Sequence, residues 1–126
     1  NIPISGGEHE YTHFGFQQII EKGAMDILQP DLRRCGGFTV ARKIAALAAA
    51  AGLNVIPHAY GPVHLHFAQG HTNVPMIEHF PVPCWDELPD VDREPIFHGE
   101  PQPSGGYVTM SREPGLGVTV NDKIFT

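Results

Sequence analysis

Basic clusters are what this chain most plainly lacks. Its 8 Lys and Arg stand against 14 Asp and Glu, for a net charge of −6, and no basic run or interleaved aromatic patch is present to neutralise phosphates. A nucleic-acid partner is therefore not expected. Long apolar runs are missing too. The longest, Ile44 to Leu53, is alanine-rich and far below the roughly 20 residues that cross a bilayer, and the start has no signal-peptide pattern, so no membrane partner is expected either. Only two cysteines occur, Cys35 and Cys84, which excludes a disulfide framework, fits packing roles and suggests a reducing, cytoplasmic home. What is there is a hydrophobic fraction of 41% over 126 residues, ordinary for one small globular domain. The first residue is Asn1 rather than Met, and an apolar stretch begins at once; the chain reads as a piece of something longer.

Apolar periodicity predicts alternating strands and helices. A strand over Ile2 to Ser5 precedes a helix from Tyr11-Thr12 to about Lys22, with Phe16, Ile19 and Ile20 on one face and Gly23 as its stop. A strand over Met25 to Gln29 follows, then Gly36-Gly37 and a helix from about Phe38 to Ala51, closed by Gly52. Next come a strand over Asn54 to Pro57, a helix over Val63 to Gln69 and a strand over Val74 to Glu78. Strand starts near 2, 25, 54 and 75 suit βα units with right-handed crossovers and a parallel sheet. The expected fold class is α/β, the half of an eight-stranded (β/α) barrel, over residues 1–79. Residues 80–126 read as a Pro-rich tail, with Trp85, Phe97, Tyr107 and Phe125 as apolar anchors, a short strand at Tyr107 to Met110, and a surface that packs back on the barrel or a capping domain. Half a barrel leaves open parallel edges and an uncovered inner face, so homo-oligomerisation or missing sequence is expected.

The chemistry-bearing residues sit at strand ends. Glu8 follows the first strand, Asp31 the second, His58 the third and Glu78 the fourth, at intervals of 23 (31 − 8), 27 (58 − 31) and 20 (78 − 58). In a strand-helix repeat these positions share one rim, where α/β proteins place their sites. A rim carboxylate suits a hard divalent cation such as Mg2+, and Glu8 is the candidate ligand, one that needs at least two others. An aspartate beside a histidine fixes its tautomer and raises the basicity of the other nitrogen, so Asp31 and His58 are expected as a dyad. Such a base suits removal of a proton α to a metal-bound carboxylate, and Glu78, if protonated, would hydrogen-bond the developing oxyanion. His9 and Tyr60 are candidates for the substrate pocket. The pair His64 and His66 invites a zinc reading, but on a helix residues two apart point to different faces.

Taken together, Gly6-Gly7-Glu8-His9-Glu10-Tyr11-Thr12, Gln29-Pro30-Asp31, Gly36-Gly37, Pro57-His58 and Pro114-Gly115-Leu116-Gly117-Val118 resemble the C-terminal part of the enolase superfamily. The branch is that of mandelate racemase and muconate lactonizing enzyme, and the nearest pattern that of rhamnonate-dehydratase-like acid-sugar dehydratases. The resemblance implies a Mg2+-dependent carbon-oxygen lyase acting on a small acid sugar, with Glu8 as third metal ligand, Asp31 and His58 as dyad and base, and Glu78 bonding the substrate carboxylate. It also implies a capping domain and two further ligands on earlier strands, which lie outside these 126 residues, so the Mg2+ site here is incomplete. The alternatives are a racemase or epimerase of the same superfamily, or an inert half-barrel that only self-associates.

Overall fold

The computed structural model describes residues 2–80 and 96–125. Three short strands, β1 (Ser5–Gly6), β2 (Ile27–Leu28) and β3 (Asn54–Val55), pair in parallel and in sequence order, with Ser5 opposite Ile27 and Ile27 opposite Asn54. Backbone bonds beyond the strands carry the ladder toward the rim: Gln29 N–H donates to Gly6 O (2.8 Å), Ile56 N–H to Leu28 O (2.9 Å) and His58 N–H to Pro30 O (3.0 Å). These bonds set the strand ends side by side. Helix α1 (Thr12–Glu21) connects β1 to β2, helices α2 (Leu32–Cys35) and α3 (Gly37–Ala50) connect β2 to β3, and α4 (Pro62–Gln69) follows β3. Sequential parallel strands with helical crossovers are the barrel pattern.

Helix α3 shows why the layers close up. Ala41, Ile44, Ala45 and Ala48, at i, i+3, i+4 and i+7, are its buried residues, one face of a 3.6-residue period. They join Phe16, Leu28, Leu32, Val55 and Phe67 in one core. The helix stops at Gly52, whose φ of +71° only glycine adopts freely, and Leu53 N–H turns back to Ala48 O at 2.8 Å. Pro62 opens α4, where its missing N–H costs nothing.

Two predicted elements differ. No strand forms over Val74 to Glu78; one bond, Val55 N–H to Asn73 O (2.9 Å), holds the start of this segment to β3, and Val74 N–H turns to His71 O. Pro75 has no N–H to continue a ladder. The predicted strand at Tyr107 to Met110 is reduced to a single bridge between Ser104 and Tyr107. In that region β4 (Phe97–His98) pairs antiparallel with β5 (Thr119–Val120), followed by a 3-10 turn at Asp122–Phe125. Trp85 and Cys84 lie outside the described residues. The chain divides into two compact units, Asn1–His79 and Phe80–Thr126, and among the described residues no helix is long and apolar enough to cross a membrane.

Candidate active site

The rim begins at Gly7. Its φ is +110°, and a Cβ there would stand 2.7 Å from the ring of the fully buried Phe16, so the turn that presents Glu8 requires glycine. Glu8 Oε2 lies 3.2 Å from His58 Nδ1, and Glu78 Oε2 lies 2.7 Å from the same nitrogen. The imidazole, 23% exposed, is thus held between two carboxylates. Both contacts are at ion-pair distance, and because an ionised carboxylate only accepts, the pair favours a proton on Nδ1.

Two residues that the strand-end pattern did not single out fix Glu78. Ala59 N–H donates to Glu78 Oε2 (2.8 Å), and Gln29, which takes the Ser5 hydroxyl on Oε1 (3.2 Å), reaches Glu78 Oε1 with its amide at 3.5 Å. Ala59 is buried with a φ of +65°, a conformation costing a non-glycine residue about 1–2 kcal/mol and recurrent where structure is held for function. Gln29 closes the strand expected over Met25 to Gln29 and so borders the rim; nothing in the sequence marks Ala59.

On the outer side, Arg34 Nη1 donates to His9 Nδ1 (3.0 Å) and His9 Nε2 meets Glu8 Oε1 (3.0 Å). A guanidinium only donates, so His9 Nδ1 is the acceptor and its proton sits on Nε2, toward Glu8. Tyr60, half-buried, packs its ring edge-on against His79 with centroids 4.9 Å apart. Cys35 is buried, and burial together with the Asp31 charge pushes its thiol up to about 11, as befits a packing residue.

Asp31, expected as the partner of His58, is engaged by other groups. Asp31 caps helix α2: its Oδ1 accepts Arg33 N–H at 2.8 Å and Arg33 Nε at 3.2 Å, and Arg34 Nε stands 3.7 Å from Oδ2. The histidine beside it is His64 of α4, with Nε2 3.3 Å from Oδ1. Capping turns the carboxylate toward the start of α2, while Glu78 and Glu8 lie beside Nδ1 of His58. Burial alone would raise the Asp31 pKa, but the side-chain and backbone bonds from Arg33, with its charge and that of His64, hold it below the ordinary 3.8. Burial pushes His64 below its ordinary 6.5, outweighing the opposing pull of Asp31. Both groups therefore bind fewer protons folded than unfolded within their windows, and the stability they lend is complete above pH 6.5. It is expected to fall as pH drops below 6.5, where only unfolded His64 readily protonates, and again below 3.8 through Asp31. Thermal melting across this range checks it: His64→Gln should flatten the first fall, and an unaltered slope would contradict the assignment.

For a divalent cation the described residues offer Glu8, a rim carboxylate with 40% of its side chain exposed. Its hard oxygens fit one position of an Mg2+ shell, but no group of three His, Cys, Asp or Glu among the described residues is placed to hold a metal. A complete site needs ligands from outside them.

Residues 1–124 match the family described as enolase C-terminal domain-like. The chain is 39% identical over 122 residues to an L-rhamnonate dehydratase of Saccharopolyspora erythraea, covering 96% of this chain and 31% of that protein. It is 35% identical over 134 residues to a D-galactarolactone cycloisomerase of Agrobacterium fabrum, covering 99% of this chain and 35% of that one. It also superposes with a TM-score of 0.82, at 33% identity, on the crystal structure of an L-talarate dehydratase from a Polaromonas species complexed with Mg and L-glucarate, covering 99% of this chain and 32% of that one. The chain spans about a third of the length of the curated relatives it matches. The parallel β-α order and these matches place it together: the chain belongs to the enolase superfamily, in the branch of mandelate racemase and muconate lactonizing enzyme, and is rhamnonate-dehydratase-like.

Proposed function

We propose that this chain is part of a Mg2+-dependent acid-sugar dehydratase, a hydro-lyase that converts an aldonate to its 2-keto-3-deoxy acid. The observation that carries the reading is His58 just past β3, its Nδ1 2.7 Å from Glu78 and 3.2 Å from Glu8, a placement that favours Nε2 as the basic nitrogen. His58 Nε2 takes the C2 proton, and the C–H electron pair enters an enediolate. The C3–O bond then breaks as C2=C3 forms, the hydroxyl leaves as water with a proton returned from His58, and the enol ketonises with a proton from solvent added at C3. Bound Mg2+ would supply the positive charge that steadies the enediolate. Glu8 is its ligand from this chain, Glu78 orients the base, Asp31 holds an ionised carboxylate at the neighbouring strand end, and His9 and Tyr60 flank the pocket. The enzyme is cytoplasmic and self-associating in this reading, with a small acid sugar as its partner.

The relatives named as rhamnonate and talarate dehydratases support this choice. A second reading, an isomerase using the same base without loss of hydroxyl, is favoured by the 35% identity to a cycloisomerase; epimerisation belongs to the same class. The test is to incubate the full-length protein with a panel of aldonates, with Mg2+ and with a chelator. Keto acid formed only with Mg2+ is expected. An isomerised acid sugar with no keto acid would overturn the dehydratase reading.

A further inference from the structure

His64 is 1% exposed and takes no part in the chemistry above. It is the third residue of α4, the helix that begins four residues after His58. Its Nε2 lies 3.3 Å from Asp31 Oδ1 and 3.3 Å from the backbone nitrogen of Leu32. These contacts exclude one another: donation to Asp31 requires a proton on Nε2, whereas acceptance from Leu32 N–H requires a lone pair there. A hydrogen bond to an ionised carboxylate is roughly twice as strong as a neutral one, and a lone pair facing that carboxylate would be repelled. Asp31 is itself 4% exposed, so little water competes.

We propose that His64 is a positioning residue, a neutral imidazole with its proton on Nε2 that fixes the Asp31 carboxylate and so ties the start of α2 to α4. The tie restrains the short loop between His58 and α4, which holds Ala59 and Gly61 at φ values of +65° and +147° and delivers Ala59 N–H to Glu78. Burial pushes the ring's pKa below its ordinary 6.5 against the pull of Asp31, with Arg33 and His58 adding to that effect. The inference rests on the proposed function for its catalytic consequence, but the tautomer does not depend on it.

The experiment uses the full-length protein labelled with 15N at histidine. Long-range proton-nitrogen spectra at neutral pH are expected to show His64 protonated at Nε2 only; a proton at Nδ1 alone, or on both nitrogens, overturns the proposal whatever the enzyme does. In the same spectra His64→Phe should move the ring nitrogens of His58, while His64→Gln, which keeps an N–H donor near Nε2, should leave them in place. On turnover, His64→Phe is expected to lower kcat about 10–100-fold with KM little changed, the scale of losing an outer-shell partner, and His64→Gln to restore most of it. Equal loss in both variants would mean that packing, not the hydrogen bond, is what matters, and would sink the idea. A wild-type protein without keto-acid formation would refute the proposed function while leaving the His64 tautomer decided by the spectra.

Discussion

Asparagine in place of His58 is expected to lower kcat of the full-length enzyme by about 10²–10⁴-fold, the range of a lost general base, with KM nearly unchanged. Asparagine is the informative choice because its amide stands near the position of Nδ1. It can still donate to Glu78 Oε2, now 2.7 Å from the ring nitrogen, so the rim keeps its shape while the Nε2 lone pair disappears. A steady-state assay with the aldonate turned over by the wild type reads the effect. A variant retaining more than a tenth of the wild-type kcat would remove His58 from the role of base. A variant that melts much earlier would instead show that the ring holds the two carboxylates apart structurally, and the companion substitution His58→Gln would then separate the two effects.

The second large effect concerns stability. Phe16 is fully buried in α1, and its ring packs under Gly7, the residue that turns the chain toward Glu8. Phe16→Ala removes that ring and leaves a cavity, at a cost of about 3–5 kcal/mol, a large share of the roughly 5–15 kcal/mol that holds a domain folded. Urea unfolding monitored by circular dichroism measures it. The floor beneath the Glu8 turn goes with the ring, so Mg2+ affinity is expected to weaken along with stability. A loss below about 1 kcal/mol would show that Phe16 is not a structural support of this rim.

The parts of the fold legible in the sequence are those with a local physical signal. The alanine and isoleucine spacing of α3, the glycine stops at Gly23 and Gly52, and the placement of Glu8, Asp31 and His58 just past β1, β2 and β3 all follow from period and turn chemistry, and the structure has them within two or three residues. The partners of Asp31 and His58 were not legible. Asp31 caps α2, a helix of only 4 residues that no periodicity marks, and that cap decides where its carboxylate faces. His64 stood out as half of a His-x-His pair, yet its burial against Asp31 depends on how α4 packs over α2. The pairing of β4 with β5 joins residues more than 20 positions apart (119 − 98 = 21) through strands two residues long, too short for alternation to register. Pro75 was in view from the start, and its missing donor explains why the segment after β3 forms no regular ladder.

The account turns on a proton leaving C2 to His58. The most direct test is proton NMR of the reaction in deuterated water with Mg2+, comparing the wild type with His58→Asn. The prediction is a keto acid carrying one solvent-derived deuterium at C3 from the wild type, no deuterium at C2 of recovered substrate, and neither product nor exchange with the variant. Keto acid forming at the wild-type rate with His58→Asn, or deuterium entering C2 of its recovered substrate, would contradict it, because another group would then be taking the proton.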